Sequence, residues 1–179
     1  MKIQETIIPG VLLIEPAVFH DERGYFWETY QAHRYTEAGV ELPFVQDNHS
    51  RSMRDVLRGL HYQREQPQGK LVSVIRGEIF DVAVDLRRSS RSFGQWFGVT
   101  LSAENHRQLY IPPHLAHGFC VLSDLADVVY KCTDLYDPRY ERTIRWDDPN
   151  LAIDWPLNKP ILSGKDAGGD LFSDAEYFS

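Results

Sequence analysis

Cysteine is scarce in this chain. Its 179 residues include two cysteines, Cys120 and Cys132, each within an apolar run typical of a strand. We interpret both as small buried residues of a protein in a reducing cytosol and expect no disulfide. No apolar run approaches the roughly 18 residues that a membrane span needs, and the opening residues MKIQETIIPG do not form a signal peptide. We therefore predict a cytoplasmic protein with no membrane partner.

Positive charge is also in short supply. Lys and Arg number 19 against 26 Asp and Glu, so the formal net charge is -7. A surface of this sign is poorly suited to cover a nucleic acid, and we expect no nucleic-acid partner. A local basic pocket is still compatible with this composition, so each basic residue has to be interpreted by its position.

Helical patterns are rare. Residues 31–38 form the one helical stretch in the first half of the chain, and Gly39 follows in a helix-ending position. Elsewhere, short β-branched and aromatic runs alternate with turns. Strands are predicted over residues 7–15, 17–19, 25–30, 44–50, 56–63, 71–75, 78–86, 94–101, 108–111, 118–122 and 127–133. Their spacing, near the 8–12 residues typical of sandwiches and barrels, predicts an all-β jelly-roll barrel.

The domain organisation is expected to be simple. Domains usually contain about 100–200 residues, and the sequence shows no internal repeat or low-complexity linker, so we predict one domain over residues 1–179. We place N-terminal strands in 1–30, the barrel core in about 44–147 and a polar C-terminal segment in 155–179. That last segment should hold most of the short peripheral helices, one of them starting near Ser163.

The segment from Arg58 to Gly77 is the centre of the functional interpretation. It holds Arg58, His61 and Lys70 on two predicted strands joined by a polar turn. On a regular strand His61 would point away from Arg58, unless a bulge intervenes at Gly59. Two cations and one imidazole near a β-rich core indicate an anionic substrate and proton transfer.

A metal site is the first alternative to consider. Small β-barrels called cupins often hold a metal with a His-x-His pair, a glutamate and a later histidine. Here Gln63 follows His61 in place of the second histidine, Lys70 lies where the glutamate is expected, and His117 fills the later position. A lysine cation opposes binding of a divalent ion. We therefore predict no functional metal, and elemental analysis would distinguish a metal-dependent oxygenase.

Six short motifs give the sequence a family resemblance. In chain order they are Asp21–Phe26, Gln46–Asn48, Arg58–Gln63, Gly69–Val72, Pro112–Phe119 and Tyr130–Thr133. Through them the chain, from about Ile7 to Asp166, closely resembles the dTDP-4-dehydrorhamnose 3,5-epimerases. The resemblance implies a cupin-type homodimeric isomerase that needs no cofactor. It would invert C3 and C5 of dTDP-4-dehydro-6-deoxy-D-glucose for dTDP-L-rhamnose biosynthesis, with N-terminal strands crossing to the partner subunit.

The resemblance also implies roles for individual residues. His61 would be the base and Asp166 its partner, while Lys70 would face the keto oxygen and Tyr130 would be the acid. Contacts to the nucleotide would come from Phe19, Arg23, Phe26, Glu28, Gln46, Asn48, Arg58, Tyr136 and Lys165.

The same residues can be judged from chemistry alone. A ketone acidifies the hydrogens on both neighbouring carbons, so inversion needs a base, a donor on the opposite face and a cation at the enolate oxygen. Histidine, tyrosine and lysine can supply these. Without the resemblance, Asp166 could equally cap a helix, Lys70 could be a solvated turn lysine and Tyr130 a core tyrosine. His117 is favoured as a substrate-binding residue over a structural one.

Two further alternatives stay open on the sequence. One is an epimerase of antibiotic-sugar synthesis that acts at a single carbon or on another dTDP-4-keto-6-deoxyhexose. The other is a non-catalytic nucleotide-sugar-binding cupin, which could keep Arg23 and Arg58 without needing His61, Lys70 and Tyr130 together. The charged loop 87–91 is expected to be solvated.

Overall fold

Strands dominate the computed structural model, which describes residues 1–40 and 43–179. The strands are β1 Lys2–Glu5, β2 Leu12–Glu15, β3 Val18–Asp21, β4 Gly24–Trp27, β5 Gln46–Met53, β6 Leu57–Gln63, β7 Lys70–Arg76, β8 Glu78–Asp85, β9 Trp96–Ser102, β10 Gln108–Ile111, β11 Leu115–Val121, β12 Leu125–Cys132 and β13 Glu141–Thr143. The helices are α1 Ala32–Glu37, α2 Gly164–Ala167 and a 3-10 turn over Phe172–Asp174. In the described ranges, no helix is long and apolar enough to cross a membrane.

Two antiparallel sheets form the barrel. The larger has the order β1-β2-β10-β7-β12-β5, the smaller has the order β13-β6-β11-β8-β9, and β3 and β4 form a separate hairpin. Apolar side chains from both sheets, among them Val72, Val74, Ala83 and Phe119, pack into one buried cluster. The predicted all-β barrel with short helices is thus confirmed.

The outer faces of the sheets are covered differently. Tyr35 of α1 packs with Leu71 and Tyr110 against the larger sheet. Trp155 and Phe178, from the C-terminal part of the chain, pack on the smaller sheet. Because burying a large apolar side chain contributes about 1.5–3 kcal/mol, these contacts fix where the C-terminal segment lies.

The first fifteen residues differ from the prediction. Only Leu12–Glu15 of the predicted strand 7–15 pairs in a sheet, and Gly10, at φ +86°, lies in the turn before it. Strand β1 pairs with β2 although all residues of β1 are exposed. Its sequence therefore lacks the alternation of buried and exposed residues from which a strand is predicted. Helix α1 also ends one residue earlier than predicted, with Ala38 as its C-cap.

Strand β6 is irregular at Gly59. His61 pairs with His117 and Arg58 pairs with Phe119, so one more residue separates the pair on β6 than on β11. Gly59 has φ +117°, and a Cβ added there would lie 2.6 Å from the Cα of Gly118. On a regular strand Arg58 and His61 would point to opposite faces. The register shift at Gly59 is a bulge, and it brings both side chains to the same face.

The loop after β8 is not simply solvated, contrary to the prediction. Arg87 donates from Nε and Nη2 to the two carboxylate oxygens of buried Asp85, at 2.8 and 2.9 Å. Its Nη2 also donates to the carbonyl of Pro9 at 2.9 Å. Burial alone would raise the pKa of Asp85, but Arg87 and nearby serines, including Ser92, lower it to about 2. This pair links the N-terminal turn to the barrel.

We expect Asp85→Asn to lower the free energy of unfolding by roughly 3 kcal/mol at pH 7, because it leaves Arg87 without its counter-charge. The folded-state pKa of about 2 lies below the ordinary carboxyl value of 3.8. The stabilisation is therefore complete above that ordinary value and is lost as the pH falls toward 2. Urea unfolding at pH 7 and pH 2.5 should show a deficit that shrinks at the lower pH.

Asp124→Asn is the matched control, because Asp124 is exposed and pairs with Arg54. It should change the unfolding free energy by less than about 0.5 kcal/mol. An Asp85→Asn deficit of equal size at both pH values would contradict the assignment.

Candidate active site

A cavity of about 340 Å³ opens between the two sheets. Its volume is in the range of small-molecule sites, about 300–1,000 Å³. All of its lining residues except Phe119 have a polar or charged side chain, in contrast to the apolar cluster that fills the rest of the barrel. The lining residues are Gln46, Asn48, Ser50, Arg58, His61, Gln68, Lys70, His117, Phe119, Tyr130, Tyr136, Glu141 and Lys165.

A histidine–aspartate pair lies at this cavity. His61 projects from β6, and its Nε2 is 2.5 Å from Oδ1 of buried Asp166 in α2. Ser163 caps α2, because its Oγ accepts from the backbone N–H of Asp166 at 3.1 Å. The helix-start interpretation was therefore right for the segment, with Ser163 as the cap, while the carboxylate of Asp166 faces the histidine. Burial would raise the pKa of Asp166, but the hydrogen bond and charge of His61 hold it below its usual range.

The C-terminal segment is held on both sides of α2. Ile161 forms a bridge with Val56, and Asp170 forms one with Ile144. Asp166 lies between these two anchors, so the position of its carboxylate is set by backbone pairing with the barrel.

Lys70 and Tyr130 lie on the neighbouring strands β7 and β12. The Lys70 ammonium is 5.9 Å from the centre of the Tyr130 ring. Burial lowers the pKa of Lys70 and raises that of Tyr130. The sequence assigned both residues to the site, and the structure brings both to the cavity that His61 lines.

Arg58 enters the cavity with its guanidinium held by β5. Its Nε donates to Oγ of Ser52 at 2.9 Å. Gln46 and Asn48 lie on the same strand, and the side-chain amide of Gln46 donates to that of Asn48 at 3.1 Å. Strand β5 thus holds the Arg58 guanidinium in place and contributes the polar side chains of Gln46 and Asn48 to the cavity wall.

Glu141 is a cavity residue that the sequence analysis missed. Its side chain is 16% exposed and accepts from the Lys165 ammonium at 2.8 Å and from the Tyr136 hydroxyl at 2.9 Å. Burial would raise the pKa of Glu141, but these two donors hold it below its usual range. Strand β13 is three residues long, too short for a period-two pattern to single out Glu141. Also missed were Ser50, Gln68 and Phe119.

His117 makes a second histidine–aspartate pair. Its Nε2 is 2.8 Å from Oδ1 of Asp81, and both side chains are buried. Burial lowers the pKa of His117, although Asp81 opposes that shift. His117 lines the cavity, and Asp81 was not predicted because nothing in the sequence of β8, which also holds Glu78 and Asp85, distinguishes it from them.

The predicted N-terminal contacts are not at the cavity of this chain. Phe19 and Phe26 of the β3–β4 hairpin are 65% and 71% exposed. Arg23 pairs with Asp21 on the hairpin, and Glu28 pairs with Arg34. Within one chain these residues therefore do not join the site.

Metal ligands do not cluster in the described part of the chain: residues 1–40 and 43–179 contain no group of three or more His, Cys, Asp or Glu side chains placed to hold an ion. Metal independence itself stays a prediction, which activity after chelation would test.

The fold, the cavity and the comparisons with known proteins together place the chain in one class of protein, the β-barrel epimerases, which are isomerases. The chain belongs to the dTDP-4-dehydrorhamnose 3,5-epimerase family, whose model matches residues 5–174. The Pseudomonas aeruginosa dTDP-4-dehydrorhamnose 3,5-epimerase is 58% identical over 180 residues, covering 99% of each chain.

Two solved structures are similar throughout. A dTDP-6-deoxy-D-glucose-3,5-epimerase from Legionella pneumophila, in complex with dTDP-4-keto-L-rhamnose, has a TM-score of 0.95 and 56% identity, covering 98% of this chain and 94% of the other. A 3′-monoepimerase from Streptomyces bikiniensis, in complex with dTDP-quinovose, has a TM-score of 0.88 and 32% identity, covering 94% and 86%.

Proposed function

We propose that this protein inverts C3 and C5 of dTDP-4-dehydro-6-deoxy-D-glucose to give dTDP-4-dehydro-L-rhamnose, in the cytoplasm and without a cofactor. The observation that carries the proposal is the gathering of the His61–Asp166 pair, Lys70 and Tyr130 at one cavity. These are the base, oxyanion partner and acid that inversion beside a ketone requires.

His61 is the base in this proposal. The carboxylate of Asp166 can only accept, so the Nε2 that faces it carries the ring proton and Nδ1 is left bare. A bare ring nitrogen can remove the proton from the carbon beside the ketone. Asp166 then stabilises the imidazolium that forms, as a buried carboxylate does in other histidine pairs.

Lys70 and Tyr130 complete the chemistry. An ammonium at the keto oxygen stabilises the developing enolate, a contribution often worth about 3–4 kcal/mol per donor. Burial raises the pKa of Tyr130, so its phenol keeps its proton near neutral pH. Tyr130 is then able to deliver that proton to the face opposite His61.

The nucleotide part would be held by the cations and polar groups of the wall. Arg58 and Lys165 can pair with the diphosphate, and Gln46, Asn48 and Tyr136 offer polar and stacking contacts. The stronger match to two-carbon epimerases than to the monoepimerase favours inversion at both carbons. A protein that only binds a nucleotide sugar would not need a histidine base oriented by a buried carboxylate, as in the His61–Asp166 pair.

Deuterium exchange tests the reaction directly. In deuterated water, wild-type protein with dTDP-4-keto-6-deoxyglucose should introduce label at both C3 and C5, detected by NMR.

His61→Asn should abolish exchange at both carbons while the Kd for dTDP stays within about threefold, because the base does not contact the phosphates. Asp166→Asn should lower the rate more than the affinity. Full exchange by His61→Asn would remove the central claim.

Tyr130→Phe should separate proton removal from inversion. Label should still enter the substrate wherever His61 removes a proton and returns deuterium on the same face. Formation of doubly inverted product should fall about 100-fold or more, a typical contribution for a general acid. NMR of product stereochemistry beside label uptake measures both. Unchanged yield of the doubly inverted sugar would show that another group is the acid.

We also propose a homodimer in which the β3–β4 hairpin completes the partner's site. The hairpin exposes Phe19 and Phe26, which are directly paired on one face. Beside its base, a mainly apolar groove of about 310 Å³ runs over the outer face of the larger sheet, lined by Trp27, Ile75 and Val129 among others. Exposed apolar groups next to an uncovered groove support burial by a second copy.

Mixing two inactive variants tests this arrangement. If Arg23 acts in the partner's site, Arg23→Ala and His61→Asn subunits should each lose activity alone. Mixed after unfolding and refolding together, they should regain up to about a quarter of wild-type activity, since half of the dimers are then mixed and each has one intact site. Light scattering should give the mass of a dimer. No recovery in mixed dimers, or a fully active monomer, would contradict the proposal.

A further inference from the structure

The buried aspartates of the described chain differ in how their oxygens are satisfied. Asp85 and Asp127 each receive a two-pronged bond from a guanidinium. Asp148 receives three backbone N–H groups across its two oxygens. These are the arrangements expected of structural carboxylates, because every buried oxygen has a donor.

Asp81 departs from this pattern. Its Oδ1 contacts Nε2 of His117 at 2.8 Å. Its Oδ2 is buried and, within the described residues, has no hydrogen-bond partner. A buried oxygen left without a donor destabilises the fold, so stability does not account for an aspartate at this position.

The closest parallel is the other histidine–aspartate pair. His61 and His117 are directly opposite each other on β6 and β11, and both line the cavity. In each pair the ring nitrogen next to the carboxylate is Nε2. An ionised carboxylate forces the proton onto that nitrogen and leaves Nδ1 bare.

We propose that Asp81 is a positioning residue that holds His117 in the tautomer with a bare Nδ1, and that this nitrogen accepts a hydrogen bond from a hydroxyl of the bound sugar. The identity of the sugar rests on the proposed function. A keto oxygen and an ionised diphosphate can only accept hydrogen bonds, so neither suits a bare nitrogen. The sugar hydroxyls at C2 and C3 can donate.

The surroundings of His117 keep its ring neutral. Burial and the nearby charge of Lys70 lower its pKa, outweighing the opposing effect of Asp81. A neutral ring has one N–H and one bare nitrogen, so the single contact to Asp81 decides which of them the sugar meets. His117 would then select ligands by a hydroxyl, separately from the nucleotide contacts.

The tautomer is measured by ¹⁵N NMR of the histidine side chains, with His117→Gln to assign the signal. Wild-type protein should show a protonated Nε2 and a bare Nδ1. Asp81→Asn removes the charge that forces this state and offers an N–H donor to Nε2, so the Nδ1–H tautomer should appear. A wild-type Nδ1–H form, or no change in Asp81→Asn, would overturn the proposal.

Binding supplies a second readout. The probes are dTDP and dTDP-glucose, which keeps the C2 and C3 hydroxyls but has no ketone and cannot be epimerised. Asp81→Asn should bind dTDP-glucose about tenfold more weakly, the usual effect of one lost polar contact, and dTDP within about twofold of wild type. Equal losses for the two ligands would overturn the proposal, because the contact would not be to the sugar.

Stability separates positioning from a structural role. Asp81→Asn should not lower the thermal midpoint, whereas Asp85→Asn should, and a comparable fall in both would overturn the proposal. The outcome is also separable from that of the proposed reaction. If wild-type protein did not epimerise its substrate but the tautomer and ligand differences held, the reaction would fail and the role of Asp81 would stand.

Discussion

The hydrogen bond between His61 and Asp166 is the contact on which the organisation of this protein depends. It joins two residues 105 positions apart, one on a central barrel strand and one on a four-residue helix. The helix has little stability of its own, because so short a helix cannot offset its nucleation cost. Its place is set by the bridges at Ile161 and Asp170 and by the packing of Trp155 and Phe178. Completion of the cavity therefore requires that the barrel and the C-terminal segment fold together.

The interior of the barrel serves two purposes. One part is an apolar cluster with fully buried Val72 and Leu109, and the other is a polar cavity with Arg58, Lys70 and Lys165 in its wall. Cations in a partly desolvated wall favour an anionic ligand over water. Of these three, Lys165 has a carboxylate partner, Glu141. The wall thus offers cationic charge to a ligand, while one of its three cations, Lys165, is already paired with a carboxylate.

Most of the strands could be predicted because strand periodicity is local, whereas Lys70 and Tyr130 were assigned to the site through the family resemblance. Val72, Val74 and their neighbours show β-branched runs, and the motif around His61 falls within one of them. The pairing of His61 with Asp166 was accessible only through the family resemblance, since no local pattern connects distant segments. Asp81, Asp85 and Glu141 show why the rest could not be predicted. The sequence does not show whether an Asp or Glu side chain faces water, an arginine or a histidine, because that partner is determined by the fold.

The close approach of β6 and β11 at Gly59 and Gly118 has a consequence for how this chain can change. A Cβ on Gly59 would lie 2.6 Å from the Cα of Gly118, and one on Gly118 would lie 2.7 Å from the carbonyl oxygen of Arg58. Neither glycine can be replaced alone without moving β6 away from β11, and with it His61 away from His117. The spacing between the cavity-lining side chains of β6 and β11 is therefore set by two positions that have no side chain of their own, and neither position can change by a single substitution without altering that spacing.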